Sequence, residues 1–251
     1  MELFLETPTT TLYKENNRLL KDFKDSILND ELKNQVILNH KIGHIFNAVL
    51  PNELYYKNNN LCGYYMPYIK SINLEKFFNE EIYIPAEHRI TVVKDLFNAL
   101  KEIHKYLIVG DIHLGNILIN NSNGFIIDLD YAKSIFSSEE PISKYYIVNG
   151  NYFELPNGFN SDINKLFITS LSILFQVNLE CFLYGPWRTN DELEKLLLKS
   201  IPNSYLSEFA HDLKNHENDI NYKNYFNVDE CDDLSKDILE SRNKLIRNLH
   251  Y

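Results

Sequence analysis

Residues 107–132 read LIVGDIHLGNILINNSNGFIIDLDYA, and this stretch decides the reading of the chain. Asp111, His113, Asn116, Asp128 and Asp130 fall within 20 residues of one another. Two short apolar runs, 116–119 and 125–130, flank Asn120-Asn121-Ser122-Asn123-Gly124, a cluster of turn formers. Apolar runs around such a cluster predict a hairpin. The hairpin folds Asp128 back toward Asp111 and Asn116, so three oxygen-bearing side chains converge on one point. Hard oxygen donors on a short rigid frame suit Mg²⁺, which takes one or two carboxylates and completes its shell with substrate phosphates and water.

On the N-terminal side, residues 86–107 place Ile90, Val93, Phe97, Leu100, Ile103 and Leu107 on one stripe, which predicts a long amphipathic helix. Further upstream, TTTLYKE and RLLKDFK surround Asn16-Asn17 and predict a hairpin; 53–57 and 61–69 predict two more strands around Asn58-Asn59-Asn60. Between these pairs, 30–47 carries Leu32, Val36, Leu38, Ile42 and Ile45 at helical spacing, with Asp30 as its cap. On the C-terminal side, the pattern from 162 onward is helical almost to the end. The expected class is α+β, with a small β-rich N-terminal lobe (1–69, a sheet plus one helix), a connector near 66–72, and a mainly helical C-terminal lobe (70–251).

Composition narrows the function classes. The chain has 251 residues, 44 % hydrophobic and 24 % charged, with 8 Gly and 8 Pro, which excludes collagen-like and Pro/Gly-rich disordered classes. Lys and Arg total 25 against 35 Asp and Glu, a net charge of −10 that argues against a nucleic-acid partner, because phosphate neutralisation needs the opposite sign. Cys62, Cys181 and Cys231 are widely spaced without a CxxC pair, so neither a disulfide framework nor a structural zinc site is expected. The first 18 residues lack a basic segment followed by an apolar one, so no signal peptide is read. The most apolar stretch, 166–184, is interrupted by Thr169, Ser170, Gln176, Asn178 and Glu180; a buried core helix is expected rather than a membrane span. The expected compartment is the cytoplasm.

The stretch 107–132 resembles the catalytic core of the protein-kinase-like superfamily, which includes protein kinases and small-molecule kinases of the aminoglycoside and choline type. Asp111, then Asn116 five residues on, then Asp128 closing an apolar strand, follow its Asp, Asn and metal-binding Asp. Val109-Gly110-Asp111 stands at the His-Arg-Asp position and Asp128-Leu129-Asp130 at the Asp-Phe-Gly position, with Ala132 and Lys133 continuing the run. Ile103-His104 before the loop, GYYMPYI at 63–69 and Ser161-Asp162-Ile163 follow in the same order. The resemblance implies a bilobal kinase-like fold with ATP and Mg²⁺ (or Mn²⁺) as cofactors. It implies Asp111 as the catalytic group toward the acceptor hydroxyl, and Asn116 and Asp128 as metal ligands. Lys21 would hold the α/β-phosphates. Met66, Tyr68, Ile69, Leu12 and Leu118 would line the nucleotide site. Asp162 would anchor the catalytic loop. Asp130 would serve as a loop stabiliser or a second metal ligand, and His113 would pack within the loop.

The chain departs from that pattern at three places. Residues 6–14, ETPTTTLYK, align with the phosphate loop and hold no glycine; threonine hydroxyls are the available donors. The helix that should pair with Lys21 offers Gln35 in the best register and Glu31 one turn earlier. Gly110 replaces the Arg before the catalytic Asp, which removes the partner for a phosphate in 133–160. The acceptor implied is a protein Ser or Thr, because 34 residues separate Asp128 from Asp162, room for a peptide-binding segment. A small-molecule kinase and a pseudokinase scaffold are the alternatives. No membrane partner is expected.

Overall fold

The computed structural model describes residues 1–136, 145–148, 151–154 and 159–179, with helical positions 236, 239, 240 and 243. Strands β1 (Glu2–Glu6), β2 (Thr10–Glu15) and β3 (Arg18–Phe23) precede helix α1 (Asp30–Ile42), and β4 (Glu53–Lys57) and β5 (Asn60–Pro67) follow it. The five strands form one antiparallel sheet in the order β1-β2-β3-β5-β4. Asparagine sets the register of both central hairpins. Asn16 has φ 55°, and Asn58 and Asn59 have φ 50° and 65°. These left-handed conformations suit two-residue hairpin loops, and asparagine tolerates them better than most residues.

Next come β6 (Ile72–Asn73), α2 (Leu74–Asn79), α3 (Ala86–Ile103) and β7 (Leu107–Ile108). A 3₁₀ turn at Leu114–Asn116 leads into the hairpin of β8 (Ile117–Asn120) and β9 (Asn123–Ile126), which joins β6 in a three-stranded sheet. β10 (Lys133–Ser134) pairs with β7; β11 (Tyr145–Val148) pairs with β12 (Asn151–Glu154); α4 is Phe159–Phe175. The fold is α+β.

Two apolar clusters hold these layers. Phe23, Leu32, Val36, Leu61 and Tyr64 join α1 to the five-stranded sheet. A larger cluster gathers Val93, Phe97 and Leu100 of α3, Leu114, Ile117 and Ile126 of the second sheet, and Leu166 and Leu171 of α4. Burying each such side chain contributes about 1.5–3 kcal/mol against the entropy of ordering it. Among the described residues, no helix is long and apolar enough to cross a membrane.

Several boundaries differ from expectation. α1 ends at Ile42 rather than 47, because Gly43 turns the chain at φ 77°. Its cap is Asn29, whose side chain accepts from Leu32 N at 2.9 Å, not Asp30. α3 ends at Ile103 rather than 107, and Leu107 is buried in β7 instead. β5 covers 60–67 rather than 61–69. β1 precedes the two strands that the sequence delimits in this region. It is an edge strand exposed along its whole length, so Leu3, Phe4 and Leu5 show no alternation to read. Cys181, Cys231 and most of the segment 137–158 lie outside the described residues, as does nearly all of the helical pattern expected beyond α4.

Candidate functional site

β2, β3 and β5 present one wall of a cavity of about 470 Å³, and the second sheet presents the other. Leu12, Leu19 and Met66 line the first wall; Leu118 and Ile127 line the second. Phe4, Tyr68 and Ile69 border it where the chain leaves β5. Phe4 and Tyr68 meet edge to face at 5.8 Å, and Lys14 Nζ lies 3.8 Å from the Tyr68 ring centre. Tyr68 N donates to Asn17 O at 2.9 Å and Ser71 Oγ donates to Ile69 O at 3.0 Å, which fixes this crossing segment. At the polar end stand Lys21, Asn116 and Asp128.

Lys21 is on β3, where its neighbours point it inward beneath the sheet. Gly63, which opposes Asp22 on β5, lies so close to the β3 backbone that a Cβ there would sit 2.0 Å from Lys21 O. Lys21 Nζ donates to Asp128 Oδ1 at 2.7 Å. It also lies 2.6 Å from Asp130 Oδ2, a charge contact at an angle unsuited to a hydrogen bond. Tyr64 OH donates to Asp130 Oδ1 at 2.7 Å. Burial pulls the Lys21 ammonium toward neutrality, but the negative charges around it, Asp130 foremost, outweigh this and hold its pKa well above the ordinary lysine value. Burial pushes the Asp130 carboxyl up while Lys21 opposes the rise. The balance keeps the lysine charged. Asp128 has φ 60°, a left-handed backbone just past the end of β9. Aspartate adopts this conformation more readily than most residues.

The loop carrying Asp111 is tied from three sides. Asp162, fully buried at the start of α4, accepts from Val109 N at 2.7 Å and Gly110 N at 2.8 Å and contacts His104 Nε2 at 3.1 Å. Lys165 Nζ donates to Gly110 O at 2.7 Å. Gly110 itself has φ 72°, a conformation that disfavours the arginine of the motif it resembles. Asn116 Nδ2 donates to Asp111 O at 2.9 Å and to Asp111 Oδ2 at 3.3 Å. That double donation orients the Asn116 amide so that Oδ1 is its acceptor on the other side. His113 Nδ1 accepts from Gly115 N at 3.0 Å, and its Nε2 lies 3.9 Å from Asp111 Oδ1.

The structure thus brings Lys21, Leu12, Met66, Tyr68, Ile69, Asn116, Leu118 and Asp128 to one cavity, with Asp111 attached through Asn116. It does not bring Glu31 or Gln35 to Lys21. Glu31 pairs with Lys133, and Gln35 Nε2 donates to Asn39 Oδ1 at 2.8 Å. The sequence reading missed Tyr64, which carries no polar signature inside an apolar strand, and Lys165. The threonine turn closes on itself. Thr7 Oγ1 accepts from Thr10 N at 2.9 Å and from Thr9 N at 3.3 Å.

Among the described residues, no three His, Cys, Asp or Glu side chains form a metal-binding group. Asn116 and Asp128 offer one amide and one carboxylate. That donor set suits a hard cation arriving with phosphate oxygens rather than a metal held by protein alone. No protein-family model matches the chain, and no curated protein matches it.

Proposed function

We propose that the chain is an ATP- and Mg²⁺-dependent phosphotransferase, built on a bilobal protein-kinase-like fold, that moves the γ-phosphoryl group to a hydroxyl acceptor. Residues 1–69 would form the small lobe and 70–251 the larger one. The observation that carries this is a single cavity with an apolar slot of Leu12, Met66 and Leu118 leading to Lys21, Asn116 and Asp128. An apolar slot suits a flat base, and the polar end suits its phosphates.

Phosphoryl transfer needs positioning and charge neutralisation more than covalent help from protein. Lys21 would hold phosphate oxygens. Asn116 Oδ1 and Asp128 would hold Mg²⁺, or Mn²⁺, which when bound neutralises charge on the phosphates. Asp111 would orient the acceptor hydroxyl. The acceptor oxygen forms the new bond to the γ-phosphorus, the bond to the β–γ bridging oxygen breaks, ADP leaves with that electron pair, and Asp111 takes the hydroxyl proton.

A protein Ser or Thr is the proposed acceptor, on the 34-residue separation of Asp128 and Asp162. The glycine-free turn at 7–10 and the closure of Lys21 on Asp128 favour a second reading, a nucleotide-binding scaffold without turnover. Incubation with γ-labelled ATP and Mg²⁺, with protein substrates and with aminoglycoside, choline and sugar panels, decides. Label on protein that disappears with Asp111→Asn supports the proposal. Label confined to a small molecule replaces the acceptor, and binding without transfer to any acceptor supports the scaffold.

A further inference from the structure

In protein kinases, the lysine that grips the nucleotide phosphates is aligned by a glutamate from the neighbouring helix. Helix α1 does not make that contact here, since Glu31 pairs with Lys133 and Gln35 bonds to Asn39. Among the described residues, the carboxylates at ion-pair distance from Lys21 are Asp128 at 2.7 Å and Asp130 at 2.6 Å. Resting on the phosphotransferase reading, we propose that Asp130 is the positioning residue for Lys21, so that the lysine is aligned from the metal-ligand segment itself and not from the helix.

The two carboxylates differ in their surroundings. The Asp128 side chain is 38 % exposed and faces the cavity. The Asp130 side chain is 1 % exposed; its Oδ1 accepts from the Tyr64 hydroxyl and its Oδ2 lies in charge contact with Lys21. Lys21 and Tyr64 are directly opposed in the β3–β5 register, so one sheet contact places both partners of Asp130. Asp128 can therefore exchange Lys21 for a metal when nucleotide enters. Asp130 cannot turn away without leaving a carboxylate unpaired in the interior, which is strongly unfavourable. It remains as the fixed counter-ion while Lys21 swings only its free hydrogen-bonding positions toward phosphate. Leu129, between the two carboxylates, is anchored by Asn39 Nδ2 donating to its carbonyl at 2.8 Å, which fixes the backbone from which both carboxylates reach Lys21.

The test is calorimetric titration of the full chain with Mg·ATP and, separately, with adenosine. Asp130→Asn should keep the bond from Tyr64 but lose the charge, weakening Mg·ATP roughly tenfold or more and leaving adenosine unchanged. A merely structural role would weaken both ligands alike and overturn the proposal. Lys21→Met should show the same selective loss, and Lys21→Met/Asp130→Asn should lose nothing further. This last comparison stands even if Asp130→Asn alone does not fold, because the double variant leaves no unpaired buried charge. A further tenfold loss in the double variant would make Asp130 a ligand in its own right and overturn the proposal. Glu31→Gln should bind Mg·ATP like the wild type; a selective loss there, with Asp130→Asn unaffected, would return the role to α1. Wild-type protein that binds neither ligand would overturn the phosphotransferase reading itself, whereas wild-type binding matched by Asp130→Asn would overturn only this inference.

Discussion

Around Asp111, two backbone N–H groups and a histidine converge on the fully buried Asp162, while Lys165 holds Gly110 O. Across the cavity, the turn at 7–10 is held by threonine hydroxyls, centred on Thr7 Oγ1, and follows an edge strand that is exposed throughout. The first region is fixed by charge-assisted bonds inside the protein. The second is held by neutral bonds at the surface. Charge-assisted bonds in a low-dielectric interior are the stronger kind, so the loop carrying Asp111 is the more firmly held of the two.

Substitutions can break or sharpen this contrast. The largest effect is expected at Asp111. Asp111→Asn should lower turnover by about 10²–10⁴-fold while Mg·ATP affinity stays unchanged, because a positioned acid–base group is lost and the nucleotide contacts are not. Steady-state kinetics beside titration would show this; an unchanged rate would remove Asp111 from the chemistry.

Next is the anchor. Asp162→Ala leaves Val109 N, Gly110 N and His104 without their shared acceptor, and should destabilise the fold by about 3 kcal/mol or more. Urea unfolding measures it, and a loss no greater than that of the threonine turn would erase the contrast between the walls.

Gly63→Ala is intermediate. Its Cβ would meet Lys21 O at 2.0 Å, so the β3–β5 pair must separate locally. Stability should fall by roughly 1–3 kcal/mol. Mg·ATP affinity should fall with it, because Lys21 moves; a variant with full stability and full affinity would show that the sheet yields without displacing the lysine. The smallest effect is expected at the turn. Thr7→Val removes the acceptor for two backbone N–H groups at a surface site, and should cost about 1 kcal/mol or less by urea unfolding.

Most of the architecture was readable because it depends on local chemistry. Asparagine pairs at 16–17 and 58–59 mark hairpins through their tolerance of positive φ, and the stripe from Val93 to Ile103 marks α3 through its period. β1 was not delimited, because an exposed edge strand has no buried face to impose alternation. The end of α1 was misplaced because Ile45 continues the apolar spacing beyond Gly43, where the backbone has already turned.

The cavity-lining residues Leu12, Met66, Tyr68, Ile69 and Leu118 were expected through the resemblance of their segments to a known order of motifs, not through local chemistry. The partner of Lys21 was not. Which carboxylate reaches a buried lysine depends on how β3, β5 and the segment after β9 are stacked, and Asp130 looks like any acidic residue two positions from Asp128. The only trace was a carboxylate standing where the resembled motif has glycine. Tyr64 left no trace, since its hydroxyl is satisfied inside the core by a residue 66 positions away.

The central claim, that this cavity takes a nucleotide with its metal, is tested most directly by thermal unfolding with saturating ATP, with and without EDTA, for wild type and Asp128→Ala. Ligand at about 100 times its dissociation constant stabilises by about 2.7 kcal/mol, which for a chain of this size raises the midpoint by roughly 5–10 °C. The wild type should show that rise with Mg²⁺ and lose most of it in EDTA, and Asp128→Ala should show no metal-dependent part. Equal ATP shifts in both proteins, indifferent to EDTA, would contradict the account.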